Sequence, residues 1–171
     1  MQDSMENKLL IVGAGTFSTE VEELARINGF SAISFLDDNC NSCSKPVIGT
    51  LQDVSLFRYR FDSAIVAFGK NELRQKYHEL LVAFNYNIPI LIHPTAYVSP
   101  DAQLSPGCII RAQAVVSRYA NLGEGVIVNI GGLIDHHCEI GAFSMILPGA
   151  VVRNSARIEP RTWVKANEVV E

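Results

Sequence analysis

The chain has 171 residues, 48% of them hydrophobic, and a formal net charge of −4 at pH 7. This hydrophobic fraction is ample for a packed core and excludes intrinsic disorder, while the acidic charge without a basic cluster argues against a nucleic-acid partner. No apolar run approaches the ~18–20 residues that cross a membrane, and the polar, acidic first ten residues do not read as a signal peptide. We therefore expect a cytoplasmic protein without membrane insertion.

Residues 1–90 are predicted to form the first domain, a small Rossmann-like α/β unit with a parallel sheet. Short apolar runs predict strands at 8–13, 32–36 and 62–68. Apolar residues at helical spacing predict helices at 18–28, which Gly29 ends, and at 71–84. The buried side of the second helix is expected to carry Leu73, Tyr77, Leu80 and Leu81.

The turn between the first strand and the first helix reads Gly13-Ala14-Gly15-Thr16-Phe17-Ser18, a G-x-G-x-x-S pattern. Glycines allow a tight turn and close approach of a ligand, and the free N–H groups at a helix start favour a phosphate. Asp37 and Asp38 end the second strand, where a ribose or base contact is expected. Alternatively, the glycines serve packing and the aspartates cap a loop. A dinucleotide is disfavoured because the unit has room for only three or four strands.

From residue 92 onward the sequence divides into hexads without an insertion, which predicts a second domain at 91–171. The fifth position of the hexads is small or valine, with Glu168 as the exception. A six-residue period of this kind predicts a coil of short parallel strands with the aliphatic residues along its axis. The first position is always a branched aliphatic residue: Ile92, Val98, Leu104, Ile110, Val116, Leu122, Val128, Ile134, Ile140, Ile146, Val152, Ile158, Val164 and Val170.

The prolines give independent support for this division. Pro94, Pro100, Pro106, Pro148 and Pro160 all fall on the third position of a hexad. That position is a predicted corner, where no ladder N–H has to be donated and proline is tolerated. An antiparallel barrel, the alternative, predicts a period of two and explains neither the hexads nor the proline positions.

The four cysteines do not indicate a disulfide framework. Cys108 and Cys138 occupy fifth positions, where a small apolar side chain is expected in the core. Cys40 and Cys43 form one C-x2-C in a polar loop, and no second pair follows at a spacing that suits zinc. We expect a reducing compartment and no metal.

The candidate for acid–base chemistry is His136 with His137, at the third and fourth positions of their hexad. Corner side chains should project outward, and the nearly bare corner at 129–132 should leave room for a ligand beside them. An unperturbed imidazole has a pKa near 6.5 and can accept a proton from an amine or hydroxyl at neutral pH. The alternatives are two solvated surface histidines, or a metal site of the γ-type carbonic anhydrases. The latter needs three converging histidines, whereas these two are adjacent and expected to point apart.

The whole chain resembles the hexapeptide-repeat sugar acetyltransferases that carry a small N-terminal nucleotide-sugar domain. These include the UDP-4-amino-sugar N-acetyltransferases of the bacillosamine pathway and the sialic acid O-acetyltransferases. The matching stretches are LLIVGAGTFSTEV, FLDDN, VIGTLQD, IVAFGKNELR, LIHPTAYVSP and VIVNIGGLIDHHCEIGAFS. The resemblance implies a left-handed β-helix, a homotrimer with active sites between adjacent prisms, and acetyl-CoA as co-substrate without a metal.

Carried over by position, the resemblance assigns the nucleotide-sugar contacts to Gly13, Gly15, Thr16, Phe17, Asp37, Asp38 and Gly69. It implies that His136 is the general base that deprotonates the sugar amine, with His137 and Asp135 as its catalytic neighbours. It places Met145, Asn154 and Ala166 on the acetyl-CoA side, with the amide of Asn154 holding the oxyanion.

The sequence departs from the family pattern in three places. His137 stands where an acidic residue usually orients the base, so Asp135 or Glu139 is a substitute candidate. Met145 stands where a second histidine contacts the thioester. The chain ends at Glu171, whereas relatives add about one or two more coils, so the β-helix is short and C-terminal truncation is one interpretation.

The leading hypothesis is an acetyl-CoA-dependent acetyltransferase that acts on the amino group of a nucleotide-linked amino sugar in surface-glycan biosynthesis. A catalytically impaired nucleotide-sugar-binding or scaffold protein and a sugar O-acetyltransferase are the alternatives.

Overall fold

The structure is a computed structural model that describes residues 7–39 and 45–171, so Cys40 and Cys43 lie outside the described residues. The chain divides into two compact units, one of residues 1–69 and 76–89 and the other of residues 70–75 and 90–171. Within the described ranges, no helix combines the length and apolar character that a membrane span requires.

The first unit is an α/β fold around a four-stranded parallel sheet of order β3-β2-β1-β4. Its strands are β1 (Lys8–Val12), β2 (Ala32–Leu36), β3 (Val47–Gly49) and β4 (Ser63–Val66). Helix α1 (Thr16–Ile27) follows β1, a 3-10 helix (Leu51–Phe57) follows β3, and helix α2 (Asn71–Ala83) follows β4. The parallel sheet with helical crossovers confirms the predicted fold class.

Local sequence explains where α1 begins and ends. The Gly15 carbonyl accepts hydrogen bonds from the Ser18 backbone N–H at 3.0 Å and from its hydroxyl at 2.6 Å, so the helix starts at Thr16, two residues earlier than predicted. Val21 and other residues of the predicted face are buried. The chain leaves the helix at Gly29, whose φ of +92° suits glycine.

Three further predictions for residues 1–90 differ from the structure. Strand β3 was not predicted, because three residues are too few to show a period. The strand predicted at 62–68 is shorter and spans Ser63–Val66. On α2, Tyr77 and Leu81 are buried as expected, but Leu73 is 37% exposed. The prediction for Leu73 is wrong because the helix turns the neighbouring Arg74 inward instead, to 1% exposure.

The second unit is a three-sided parallel β-helix, as the hexads predict. Every strand has two residues and ends on a first hexad position, and the next four residues form a turn. Strands of successive coils pair in parallel, 18 residues apart, as Leu133 does with Val151. The strands are β5 (Leu91–Ile92), β6 (Tyr97–Val98), β7 (Gln103–Leu104), β8 (Ile109–Ile110), β9 (Val115–Val116), β10 (Asn121–Leu122), β11 (Ile127–Val128), β12 (Leu133–Ile134), β13 (Glu139–Ile140), β14 (Met145–Ile146), β15 (Val151–Val152), β16 (Arg157–Ile158), β17 (Trp163–Val164) and β18 (Val169–Val170).

The axis of the β-helix is filled by the residues that the hexads place there. All the first-position aliphatics belong to one core cluster, fully buried in the middle coils and partly buried toward the ends. Cys108 and Cys138 lie in the same cluster at 0% exposure, which confirms their expected packing role. Burial raises the pKa of the Cys108 thiol to about 12, so this thiol stays protonated at neutral pH.

Because side chains alternate along a strand, the first residue of each two-residue strand points outward, and the three sheets present different surfaces. One sheet consists of β5, β8, β11, β14 and β17, and we call it the covered face because most of its outward residues are buried. These residues are Leu91, Ile109, Ile127, Met145 and the half-exposed Trp163. The polar face carries Gln103, Asn121, Glu139 and Arg157, all exposed. The apolar face carries Tyr97, Val115, Leu133, Val151 and Val169, each partly or largely exposed.

The corners impose a left-handed backbone on the fourth hexad position. From residue 107 to 167, this position has a φ between +58° and +77° in every hexad. Glycine takes it at Gly107, Gly125, Gly131 and Gly149, but elsewhere larger residues do, including Tyr119 and His137. Left-handed backbone costs a residue with a side chain about 1–2 kcal/mol. Hydrogen bonds and packing between stacked coils offset that cost.

Arg74 is the most deeply buried charge of the second unit. Its guanidinium donates to the carbonyl of Gly125 at 2.9 Å, to that of Phe143 at 2.6 Å and to that of Ser144 at 3.4 Å. It also donates to Oδ1 of Asn71 at 2.9 Å. Burial lowers the pKa of Arg74 to about 10, which still leaves it charged at neutral pH. Arg74 thereby donates to carbonyl groups of two corners that stack one coil apart on the same edge.

Candidate active site

The candidate site lies along the edge between the apolar and polar faces, which we call the histidine edge (residues 99–102, 117–120, 135–138 and 153–156). Its corners stack by backbone hydrogen bonds, one coil upon the next. The Tyr119 N–H donates to the Asp101 carbonyl at 3.3 Å, and the His137 N–H donates to the Arg118 carbonyl at 3.1 Å. The Ser155 N–H donates to the His136 carbonyl at 3.0 Å. The hexad register therefore fixes the position of every side chain of this edge along the β-helix axis.

His136 and His137 are both exposed at their corner, which confirms that they project outward. The expectation that their rings point apart is wrong. The two Nδ1 atoms are 2.9 Å apart, and the rings stand perpendicular with centroids 5.1 Å apart. The left-handed backbone of His137, with a φ of +61°, alters the direction of its side chain and is not predicted by the sequence pattern. Nε2 of His136 makes no hydrogen bond to any described residue.

The nearby carboxylates bond to other groups. Oδ1 of Asp135 accepts the backbone N–H of His136 at 2.7 Å and so stabilises the turn. Glu139 lies on the polar face and pairs with Arg157 at 3.2 Å. Neither carboxylate contacts the His136 ring, so neither takes the orienting role expected for it. The side chain hydrogen-bonded to the His136 ring is His137.

A cleft of about 440 Å³ opens beside the two histidines. Besides residues 135–137 it is lined by Tyr97, Ser117, Arg118 and Tyr119. The Tyr119 ring lies 4.9 Å from the His137 ring between centroids, and Arg118 pairs with Asp101 at 2.9 Å. Sequence reasoning missed these lining residues. Counting back 18 residues, one full coil, from His136 and His137 would have found Arg118 and Tyr119.

The bare corner at 129–132 does not contribute to this cleft. It lies at the edge between the covered and apolar faces, and its Ile130 is 43% exposed. The lining residues of the cleft do not include it. Consecutive corners of a three-sided coil lie on different edges, so closeness in sequence does not place these two corners together.

The residues assigned to acetyl-CoA are dispersed. Asn154 stands one coil beyond His136 on the same edge and is exposed, and its backbone N–H donates to no described residue. Met145 is 5% exposed on the covered face, and Ala166 is exposed at a corner between the covered and apolar faces. Within one chain, the structure brings only Asn154 next to His136.

The residues assigned to the nucleotide sugar meet at one edge of the first unit's sheet. Gly13, Asp37 and Gly69 follow β1, β2 and β4, whose carboxyl ends share that edge. Oδ2 of Asp37 accepts the Ala14 N–H at 2.7 Å and ties the glycine turn to the end of β2. Oδ1 of Asp38 accepts the N–H of Leu51 at 3.0 Å. Both aspartates therefore hold backbone in place.

The glycines of this turn differ in what surrounds them. A Cβ on Gly13 would lie 3.1 Å from the Phe68 ring, and the φ of Gly13 is +104°. A Cβ on Gly15 or Gly69 would have no atom within 4 Å, so open space adjoins both. Thr16 and Phe17 form the first turn of α1, which carries no acidic residue. This leaves the helix start suited to an anion.

Lys45 was not predicted to belong to this region. Its Nζ donates to the Ser18 hydroxyl and, at 3.4 Å, to the Gly15 carbonyl, and it lies 5.1 Å from the centre of the Phe35 ring. It adds a positive charge at the start of α1. A single lysine after a polar loop carries no sequence signal for this position.

Among residues 7–39 and 45–171, no group of three or more His, Cys, Asp or Glu side chains is placed to hold a metal ion.

Comparisons with known proteins agree with an α/β unit followed by a β-helix. The PglD N-terminal domain family matches residues 8–81. The acetyltransferase domain of PglB from Neisseria gonorrhoeae is 33% identical, with a TM-score of 0.84 over 96% of this chain and 91% of that chain. The same domain in complex with acetyl coenzyme A is matched at 30% identity, with a TM-score of 0.79 over 95% and 98% of the two chains.

A third structure is a histidine-to-alanine variant of GDP-perosamine N-acetyltransferase from Caulobacter crescentus, in complex with CoA and GDP-perosamine. It is 25% identical, with a TM-score of 0.85 over 96% of this chain and 88% of that chain. The second unit is thus a left-handed β-helix, as expected. The chain belongs to the hexapeptide-repeat nucleotide-sugar N-acetyltransferases, a family of acetyl-CoA-dependent enzymes.

Proposed function

We propose that this protein transfers the acetyl group of acetyl-CoA to the amino group of a nucleotide-linked amino sugar, in the biosynthesis of a surface glycan. The observation that carries the proposal is His136, exposed beside the 440 Å³ cleft with Nδ1 engaged and Nε2 available. The family relationship and the CoA and GDP-perosamine complex of a relative support it. We place residues 1–90 as the nucleotide-sugar domain and residues 91–171 as the acetyltransferase domain.

In the proposed reaction, the lone pair of the sugar amine attacks the carbonyl carbon of the acetyl thioester. Nε2 of His136 takes the proton that the nitrogen loses, and an oxyanion forms on the former carbonyl oxygen. The oxyanion collapses, the carbon–sulfur bond breaks, and the departing thiolate takes the proton from His136. The products are the acetamido sugar and CoA thiol, and His136 returns to its starting state.

The backbone N–H of Asn154 is the proposed oxyanion donor. It stands one coil beyond His136 on the histidine edge, is exposed, and donates to no described residue. A backbone donor of this kind acts whatever side chain the residue carries, so asparagine can stand at this position. The proposed acetyl-CoA contacts of Met145 and Ala166 lie away from His136 within the chain and need a neighbouring subunit.

Thiol release measures the proposed reaction directly. Acetyl-CoA is incubated with the protein and either GDP-perosamine or a UDP-linked 4-amino sugar, with the corresponding sugar carrying a hydroxyl in place of the amine as the control. We expect release of CoA thiol with the amine and none above background with the hydroxyl. Release with the hydroxyl alone would indicate O-acetylation, and no release with any acceptor would contradict the proposal.

We also propose that the nucleotide end binds across the open space beside Gly15 and Gly69, with its phosphates toward the start of α1 and Lys45. Two glycine substitutions separate binding from folding. Gly15→Val places its side chain in open space, so we expect a melting temperature close to wild type and a rise of about tenfold in KM for the nucleotide sugar, equivalent to ~1.4 kcal/mol.

Gly13→Ala is the matched variant, because Gly13 has a φ of +104° and adjoins Phe68. We expect it to lower the free energy of unfolding by about 1–2 kcal/mol. Thermal melts and steady-state kinetics on both variants check the prediction. A Gly15→Val protein with unchanged KM would rule out binding in this space.

The assembly that we propose is a homotrimer, supported by the apolar face. Its five outward residues, from Tyr97 to Val169, are apolar, whereas the polar face offers Asn121 and charged side chains. Exposed contiguous apolar surface of this kind favours a protein contact. Since acetyl-CoA and nucleotide sugars are made in the cytoplasm, we propose that compartment for the enzyme.

Charge substitutions on the two faces test the trimer. Leu133→Asp places a charge in the middle of the apolar face, and we expect the sedimentation coefficient to fall to that of a monomer, because a buried unpaired carboxylate is strongly unfavourable. Asn121→Asp occupies the same strand position on the polar face and should sediment like wild type. A wild-type protein that is itself monomeric at micromolar concentration would contradict the trimer.

A further inference from the structure

We propose that His137 is a positioning residue that holds the His136 ring in the tautomer with a free Nε2, taking the part of a carboxylate with a neutral imidazole. The inference rests on the proposed function, in which His136 is the base. Its foundation is the 2.9 Å distance between the two Nδ1 atoms. At that distance one nitrogen donates a hydrogen and the other accepts it.

The direction of this hydrogen bond decides whether His136 can act. If Nδ1–H of His136 donates, then Nε2 of His136 carries the lone pair that accepts the substrate proton. If His137 donates instead, the hydrogen of neutral His136 lies on Nε2 and that nitrogen is not a base. Only the first arrangement supports catalysis, so His137 must be the acceptor, with its own hydrogen on Nε2.

His137 is held in place independently of His136. Its backbone N–H bonds to the Arg118 carbonyl at 3.1 Å, its φ of +61° is imposed by the corner, and its ring lies 4.9 Å from that of Tyr119. The contact between rings of Tyr119 and His137 limits the orientations that the imidazole can adopt. A fixed acceptor of this kind orients the base as a carboxylate would.

The pair also has a defined proton capacity. When His136 takes the substrate proton, both of its nitrogens carry hydrogen, and Nδ1–H still donates to the neutral His137. A second proton places hydrogen on both Nδ1 atoms, and the contact becomes repulsive. The hydrogen bond between the two rings therefore persists when the pair takes up one proton and is lost when it takes up a second.

The charges around the pair do not replace a carboxylate on the ring. The Asp135 carboxylate bonds to the His136 backbone, Arg118 pairs with Asp101 on the preceding coil, and Arg153 pairs with Glu171 on the following coil at 2.7 Å. Among the residues that the structure describes, no carboxylate contacts the ring of the imidazolium that forms in the reaction. The acid limb of the rate profile should lie at lower pH than with a carboxylate at position 137.

The test compares His137→Ala, His137→Asp and wild type, with Arg161→Ala as the matched control. Arg161 also occupies a left-handed fourth hexad position, with a φ of +61°, on an edge without a histidine. We expect His137→Ala to lower kcat roughly 10- to 100-fold with little change in KM. His137→Asp should restore most of kcat and move the acid limb of kcat/KM to higher pH by about one unit. The control should match wild type.

A second measurement is independent of activity. In protein labelled with ¹⁵N-histidine, the nitrogen shifts report which ring nitrogen of His136 is protonated. We expect hydrogen on Nδ1 in wild type and in His137→Asp, and a shift of the population toward Nε2–H in His137→Ala. If wild-type His136 carries its hydrogen on Nε2, or if His137→Ala leaves the tautomer unchanged, the positioning role is refuted. Absence of acetyl transfer would overturn the proposed function instead, because the nitrogen shifts are read without substrate.

Discussion

His136→Ala is expected to lower kcat/KM for acetyl transfer by roughly 10²–10⁴-fold, the contribution that a positioned general base makes to proton transfer. The substitution removes the Nε2 that accepts the amine proton. His136 is exposed, so its loss leaves no buried group unpaired, and the melting temperature should stay close to wild type. Steady-state thiol release with saturating acetyl-CoA provides the measurement.

Gln103→Ala, an exposed substitution on the polar face, is the control for this experiment. It should retain wild-type kcat/KM. A His136→Ala protein that remains folded and turns over at the wild-type rate would remove His136 from the mechanism while leaving the fold and the family unaffected.

Arg74→Ala is expected to lower the free energy of unfolding by about 3–5 kcal/mol, because it leaves several buried carbonyl groups without a charged donor. These groups belong to Gly125, Phe143 and Ser144, at two corners of the β-helix that stack one coil apart on the same edge. Arg74 is 1% exposed, so water does not readily replace the guanidinium. Urea denaturation followed by circular dichroism measures the loss.

Two variants give this prediction its controls. Arg74→Lys keeps the charge but not the planar fork, and should recover only part of the lost stability. Leu73→Ala alters the adjacent residue, which is 37% exposed, and should cost much less. Equal losses for Arg74→Ala and Leu73→Ala would show that the carbonyl contacts contribute little.

The β-helix could be read from the sequence because one physical demand repeats in every hexad. The axis takes a branched aliphatic residue at every first position and, apart from Val126 and Glu168, a small residue at the fifth. Each strand accordingly ends on the predicted aliphatic, from Ile92 to Val170. In the first unit, the longer strands and helices show a recognisable apolar pattern, and β2 was predicted at its observed bounds.

Strand β3 and the burial of Arg74 were not predicted, because they depend on interactions that leave no periodic pattern in the local sequence. Strand β3 has three residues and forms by pairing with β2. Arg74 reads as a surface residue of an amphipathic helix, and its burial follows from carbonyls contributed 51 to 70 positions later in the chain. Long-range partners of this kind are not encoded in local periodicity.

The candidate site was predictable in its residues more than in its geometry. His136 was identified because its hexad position makes it a corner. Its contact with His137 was not, because the left-handed conformation at the fourth position alters the direction of the side chain, and larger residues than glycine adopt it there. The sequence predicts ligand contacts for Asp37 and Asp38, but it does not show that Asp37 holds the glycine turn through the Ala14 N–H.

Identification of the reaction product tests the central claim most directly. Wild-type protein is incubated with acetyl-CoA and GDP-perosamine, and the nucleotide sugar is analysed by mass spectrometry before and after mild hydroxylamine treatment. The account predicts a sugar heavier by one acetyl group, in an amide linkage that hydroxylamine leaves intact. A sugar recovered unchanged, or an acetyl group that hydroxylamine removes as an ester, would contradict it.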